Sequence, residues 1–210
     1  MLDTLKELID ETSLAQTLNP EERLTSEGVN WQDYETLLAK LEDNSHYRVS
    51  YLDGVLEILS PSSQHEKPKT RLASLIDFYF YKKQIQAIPL GSTTFRNQLK
   101  QAGAEPDESY CIGSEKAIPD LAIEVIVTSS SINKLEVYRR LGVAEVWFWR
   151  NNQLSLYHLR EETPTLFEQT RGYEQIAISE LLPELNISLL EECTLIPTLI
   201  AAFERFEAGL

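Results

Sequence analysis

The sequence predicts a mixed α/β domain, a central sheet flanked by helices. Three observations predict it. Apolar residues recur at helical spacing over residues 31–41 and again over 72–80. An Asp53-Gly54 pair separates two apolar runs, the signature of a tight β-hairpin. Further on, "IPDLAIEVIV" reads as a buried strand, and a short helical pattern follows it. A looser α+β domain is the alternative.

The elements follow in chain order. The first 25 residues are polar and mixed, a short helix and a loose lead-in. In "WQDYETLLAKL", Trp31, Tyr34, Leu37, Leu38 and Leu41 keep the helical period. "HYRVSYLDGVLEILSPSS" is the hairpin: Val49 and Tyr51 lead into the turn, and Val55 to Leu59 return. A long helix then carries Leu72, Leu75, Ile76, Tyr79 and Phe80; the Ser62/Ser63 region could cap it with Pro68 in its first turn, or the helix begins at Pro68. "STTFRNQL", "PDESYCIG" and "IPDLAIEVIV" are strands. "SINKLEVYRRLG" is a short helix that Ser131 can cap and Gly142 ends. "AEVWFWR", "QLSLYHLR" and "TLFEQT" are strands, and "TLIPTLIAAFERF" is a helix with Pro197 near its start.

Bulk properties bound the function. The chain has 210 residues, 42% of them apolar, enough for one domain with a sizeable core. We divide it into an N-terminal extension, residues 1–25, and a single domain, 26–210, with a C-terminal helix. The net charge of −14 gives no general footprint for a phosphate backbone, so DNA contact would need a local basic patch. Cys111 and Cys193 are isolated thiols without metal-knuckle spacing. The N-terminus lacks the pattern of a signal peptide, and no run approaches a membrane span. These features suit the cytoplasm and no membrane. A two-fold homodimer is open to the chain.

One acid stands out. Glu124 is flanked by Ile123 and Val125, where an unpaired carboxylate is costly. Pairing the two Pro-Asp stretches about a turn at Gly113–Lys116 brings Asp107 opposite Ile123 or Glu124. Opposed residues have Cβ atoms ~5 Å apart. Two carboxylates so placed repel unless a cation such as Mg²⁺ lies between them. Asp120 is the weaker partner: it lies on the same strand face as Glu124 but ~13 Å along it. It belongs at the strand's start, in a supporting or turn role. The competing reading of Glu124 is a solvated or lysine-paired acid.

Lys134 falls in the first turn of the short helix. It shares an inward stripe with Val137, Tyr138 and Leu141 and can reach the end of the neighbouring strand. There it could steady a phosphate or orient a water. The competing reading is a snorkelling surface lysine. Trp147 and Trp149 alternate with Phe148 as core.

The stretches "YLDGVLEILSPSSQHE", "EPDESY" and "PDLAIEVIVTSSSINKLEVYRRLGVAEVWFW" resemble the Uma-type putative endonuclease family of the PD-(D/E)XK, restriction-endonuclease-like superfamily. The resemblance spans roughly residues 30–160. It implies a central mixed sheet flanked by helices, and Mg²⁺- (or Mn²⁺-) dependent hydrolysis of DNA phosphodiester bonds. The signature acids map to Asp107 and Glu124 as metal ligands. The superfamily lysine normally lies two residues after the second acid, where this chain has Ile126. In this family it maps to Lys134 on the next helix, which would orient the attacking water. A Ser-Pro usual after Glu-Val is replaced by "VTSSS". His65, Glu66, Asp120 and Tyr138 are candidates to line the cleft, although a lone His at a helix start is commonly a hydrogen-bonder. Lys67, Lys69, Arg71, Arg139 and Arg140 could supply the basic patch. A nuclease-fold domain that binds DNA or a protein partner without cutting is the alternative, and a metal-dependent hydrolase of small substrates a third.

Overall fold

The computed structural model describes residues 21–41 and 46–210. The short helix and lead-in expected over residues 1–25 fall mostly outside this range. Within it, Glu22–Ser26 is a strand, β1, where a loose lead-in was expected. Polar side chains concealed it: the strand lies at a sheet edge and gains its backbone partners from the hairpin.

Helix α1, Trp31–Leu41, buries Tyr34, Leu37 and Leu41, the stripe its spacing dictates. The hairpin follows as β2, Arg48–Leu52, and β3, Val55–Ser60. Its loop places Asp53 at φ 47° and Gly54 at φ 86°, so both central residues take the left-handed conformation of a two-residue turn. Helix α2, Ser63–Lys83, is capped by the Ser62 side chain, which accepts from the His65 N–H. Pro68 is inside this helix, not in its first turn. Ser62 takes the capping position, and the face carrying Leu72, Leu75, Ile76 and Tyr79 is packed tightly enough to hold a turn that lacks one N–H donor.

Strands β4 (Ala87–Pro89), β5 (Phe95–Asn97) and β6 (Ala102–Ala104) are three residues each, and β7 spans Glu108–Ile112. Strand β8, Leu121–Val125, is buried along its whole length. Helix α3, Lys134–Leu141, ends at Gly142 with φ 88°. Its cap is Asn133, whose side chain accepts from Glu136 N–H, and not Ser131, which is bonded elsewhere. Strands β9 (Glu145–Arg150), β10 (Gln153–Leu159) and β11 (Tyr173–Ile176) form a meander. The expected strand "TLFEQT" is a loop. The Glu161 carboxylate accepts the N–H groups of Thr165, Leu166 and Phe167, satisfying donors that a strand would have given to a ladder. Helices α4, Ile187–Thr194, and α5, Leu199–Glu207, close the chain, with Pro197 just before the Thr198 cap.

The strands make two sheets. One is antiparallel, ordered β1-β3-β2-β6-β5, and the other is mixed, ordered β11-β10-β9-β8-β7-β4. Among the described residues only β8 and β9 pair in parallel, joined by α3 as the crossover. One face of the mixed sheet buries Leu121, Ile123, Val125, Trp147 and Trp149 against α2, α4 and α5. The other face packs Ala122 and Val146 against Val137, Tyr138 and Leu141 of α3 and Phe95, Ala102 and Ala104 of the antiparallel sheet. Glu124 points to this second face, where α3 and the two sheets meet. Among the described residues no helix is long and apolar enough to cross a membrane.

Candidate active site

The β7–β8 ladder pairs Tyr110 with Leu121, Ser109 with Ala122 and Glu108 with Ile123. Continued by one residue, this register sets Asp107 beside Glu124. Asp107 N–H donates to Ile123 O at 3.1 Å. In return the Asp107 carboxylate accepts Val125 N–H on Oδ2 at 2.7 Å. Its side chain thus supplies the acceptor where the backbone ladder stops. Both acids are buried, at 1% and 6% exposure.

Glu124 Oε1 receives two donors from α3. Lys134 Nζ stands at 2.8 Å and Tyr138 Oη at 2.5 Å. Residues 134 and 138 are one helical turn apart, so both reach the same strand position. Burial raises the Glu124 carboxyl above its ordinary value. The Lys134 ammonium opposes that rise, and the Asp107 charge adds to it. Burial and Glu124 likewise push the Tyr138 hydroxyl well up, so it remains a donor.

Behind Asp107 lies His65, fully buried in the first turn of α2. Its Nε2 is 3.0 Å from Asp107 Oδ2, and its Nδ1 is 3.6 Å from Glu66. Neither ring nitrogen forms a hydrogen bond; the contacts act as charge pairs. Burial works against a charged imidazole, but the two carboxylates outweigh it and hold His65 up at about 9. Glu66 is half-exposed and also pairs with Lys69 at 3.4 Å; its histidine contact draws its carboxyl down to about 2. Asp120 is elsewhere. Its carboxylate accepts Ile112 N–H at 2.7 Å and pairs with Lys116 at 2.6 Å, closing the β7–β8 turn.

A small cavity of about 30 Å³ opens beside Glu124 and Lys134, lined also by Arg23, Arg48, Ser50 and Glu57. Charged and hydroxyl side chains reach into it, and it is large enough for a water. A larger cavity of about 440 Å³, lined by Glu35, Arg96 and Glu105 among others, lies away from the acid pair. The smaller one is the candidate site, because the buried acids Glu57 and Glu124 and the Lys134 ammonium converge there.

The donor set can be tested against a divalent cation. None of the contacts above uses Asp107 Oδ1 or Glu124 Oε2. Among the described residues no group of three or more His, Cys, Asp or Glu side chains gathers closely enough to hold an ion. An ion here would rest on two carboxylates with water completing its shell, the mode Mg²⁺ accepts.

The basic patch expected from Lys67, Lys69, Arg71, Arg139 and Arg140 is largely consumed within the molecule. Lys69 pairs with Glu66, and Arg71 donates to the carbonyls of Ile196, Pro197 and Thr198. Arg139 pairs with Glu136, and Arg140 with Glu136 and Asp53. In a chain this acidic, most cations find carboxylates nearby.

Glu57 escaped sequence reasoning. It is 1% exposed on β3 and faces the same cavity. Its signal was available: Leu56-Glu57-Ile58 shows the flanking that singled out Ile123-Glu124-Val125.

A family model, Uma2, described as "Putative restriction endonuclease", matches residues 31–190. This interval contains Asp107, Glu124, Lys134, Tyr138 and His65. No curated protein matches the chain.

Proposed function

The chain belongs to the Uma2 putative restriction endonuclease family, and from that premise we propose that it is a divalent-metal-dependent endonuclease cutting DNA phosphodiester bonds. The observation that carries the reading is the β7–β8 register, which sets Asp107 beside Glu124 with Lys134 at 2.8 Å from the latter. Asp107 and Glu124 would hold Mg²⁺ or Mn²⁺. The bound ion would lower the pKa of a water and neutralise charge on the phosphate. Lys134, held 2.8 Å from Glu124, would orient that water or face the scissile phosphate. Tyr138 keeps one Glu124 oxygen in place. His65, positively charged and 3.0 Å from Asp107, places a positive charge behind that carboxylate. The free, buried Cys111 and Cys193 suit a reducing, cytoplasmic setting.

One observation favours the alternative of a nuclease-fold domain that binds without cutting. Glu124 Oε1 is already shared by Lys134 and Tyr138, and the surface cations are mostly paired. Incubation of supercoiled DNA with the protein and Mg²⁺ or Mn²⁺, beside Glu124→Ala, separates the two. We expect nicking by the wild type alone, abolished by chelation. Cutting no better than the variant rejects the endonuclease reading, and retardation of uncut DNA then supports the binding module.

A further inference from the structure

The Ser-rich stretch between Glu124 and Lys134 is held from outside by the antiparallel sheet. Glu57 Oε2 accepts Ser131 N–H at 2.8 Å, Ser131 Oγ at 2.8 Å and Ser130 Oγ at 3.0 Å. Its Oε1 accepts Ser130 Oγ at 2.8 Å and Arg23 Nη1 at 2.5 Å. A second acid, Glu21, takes Thr128 N–H at 3.1 Å and the Thr128 hydroxyl, and Arg23 Nη2 bridges to it at 3.1 Å. Thr25 Oγ1 meets Ser131 Oγ at 2.8 Å. Strands β1 and β3 thus clasp the loop at Thr128, Ser130 and Ser131, three residues before Lys134.

We infer that Glu57 is a positioning residue that fixes the loop so that Lys134 meets Glu124; its catalytic consequence rests on the endonuclease reading. Three features point this way. A buried acid on a strand is costly without partners, and every described partner of Glu57 is either this loop or Arg23. The Ser130 and Ser131 hydroxyls are spent on Glu57, leaving Asn133 to cap α3, so the start of the helix is registered against β3. The Glu57 carboxyl is buried, but the Ser131 bonds together with the Arg23 and Lys134 charges hold it below its ordinary value, as an ionised acceptor near the lysine requires. Glu57 itself touches no reacting atom in this scheme.

The test uses the full chain labelled with ¹⁵N and the variants Glu57→Ala, Glu57→Gln and Ser130→Ala/Ser131→Ala. In the wild type the Lys134 ammonium should give a protected NMR resonance, identified by its loss in Lys134→Met. In Glu57→Ala that resonance should vanish, and amide exchange at Ser131 and Ile132 should rise at least about tenfold while β8 amides hold. Glu57→Gln keeps one acceptor oxygen and should recover part of the signal. The serine double variant removes the clasp from the loop side and repeats the result if Glu57→Ala fails to fold. With DNA and Mg²⁺, kcat should fall at least about tenfold in Glu57→Ala at constant KM. An unchanged Lys134 resonance in the folded variants overturns the inference. So does a freed loop with unchanged kcat. A wild type that does not cut rejects the endonuclease reading, and the resonance alone then decides whether Glu57 positions Lys134.

Discussion

Lys134 and Glu124, ten residues apart in the chain, meet at 2.8 Å across the seam between α3 and β8. Each is nearly shut off from solvent, with side-chain exposures of 13% and 8%. Removing one partner therefore strands the other.

Lys134→Met should destabilise the protein by about 3–5 kcal/mol at pH 8. The loss should be smaller at pH 5. The folded Glu124 pKa is already above its unfolded value, so its favourable contribution is complete below about 4.5 and fades as pH rises. Without the lysine that rise is larger. Urea unfolding at both pH values checks this, and equal losses would contradict it.

His65 should give the wild type a second pH dependence. Its folded value of about 9 exceeds the ordinary 6.5, so its stabilisation is complete below 6.5 and lost as pH rises through 9. The amplitude should be about 1–3 kcal/mol, since its carboxylate contacts are charge pairs without a hydrogen bond. Unfolding curves from pH 6 to 10 should slope in the wild type and flatten in His65→Gln.

Asp107→Asn and Glu124→Gln should each reduce metal-dependent cutting by about 100-fold or more. Titration with Mn²⁺ should show weakened binding in both. Chelation should remove activity from the wild type, and added Mg²⁺ should restore it. Full activity in either variant would exclude its carboxylate as a ligand.

Glu145→Ala should destabilise without touching the chemistry. This fully buried carboxylate accepts Trp147 Nε1–H, the Ser179 hydroxyl and the N–H groups of Glu180 and Leu181. Its loss orphans four donors, about 3–5 kcal/mol in all. Thermal melting should show the loss, with cleavage per folded molecule unchanged.

Gly103→Ala should cost about 1–3 kcal/mol, because the added Cβ would lie 2.2 Å from the Tyr34 hydroxyl. That hydroxyl is buried and has no partner, so Tyr34→Phe should be near neutral alone. Combined with Gly103→Ala, it should return part of the lost stability, since the ring carbon at 2.9 Å still obstructs the methyl.

Local rules made the central parts legible. The Asp53-Gly54 turn and the stripe of α1 depend on neighbouring residues alone. So does pairing about the turn after Ile112, which sets Asp107 near Glu124. The inward stripe of α3 likewise carries Lys134 and Tyr138 to one strand position. Other parts depend on distant partners. β1 exists because β3 offers it an edge, and β4 and β6 are too short to show a period. Ser131 looked like a helix cap because Glu57, 74 residues earlier, is invisible to a local reading. "TLFEQT" has strand-like composition, but the Glu161 carboxylate captures its amides first. The cationic residues on α2 and α3 looked like a patch until their carboxylate partners were placed.

The bond from Val125 N–H to Asp107 has a bearing on descent. Asp107 completes the strand pairing with its own side chain, so selection on folding alone would preserve an acceptor oxygen at this position, which an asparagine also supplies. A chain selected for its fold alone would therefore tolerate asparagine at 107 but not alanine, which would leave the Val125 N–H without its acceptor.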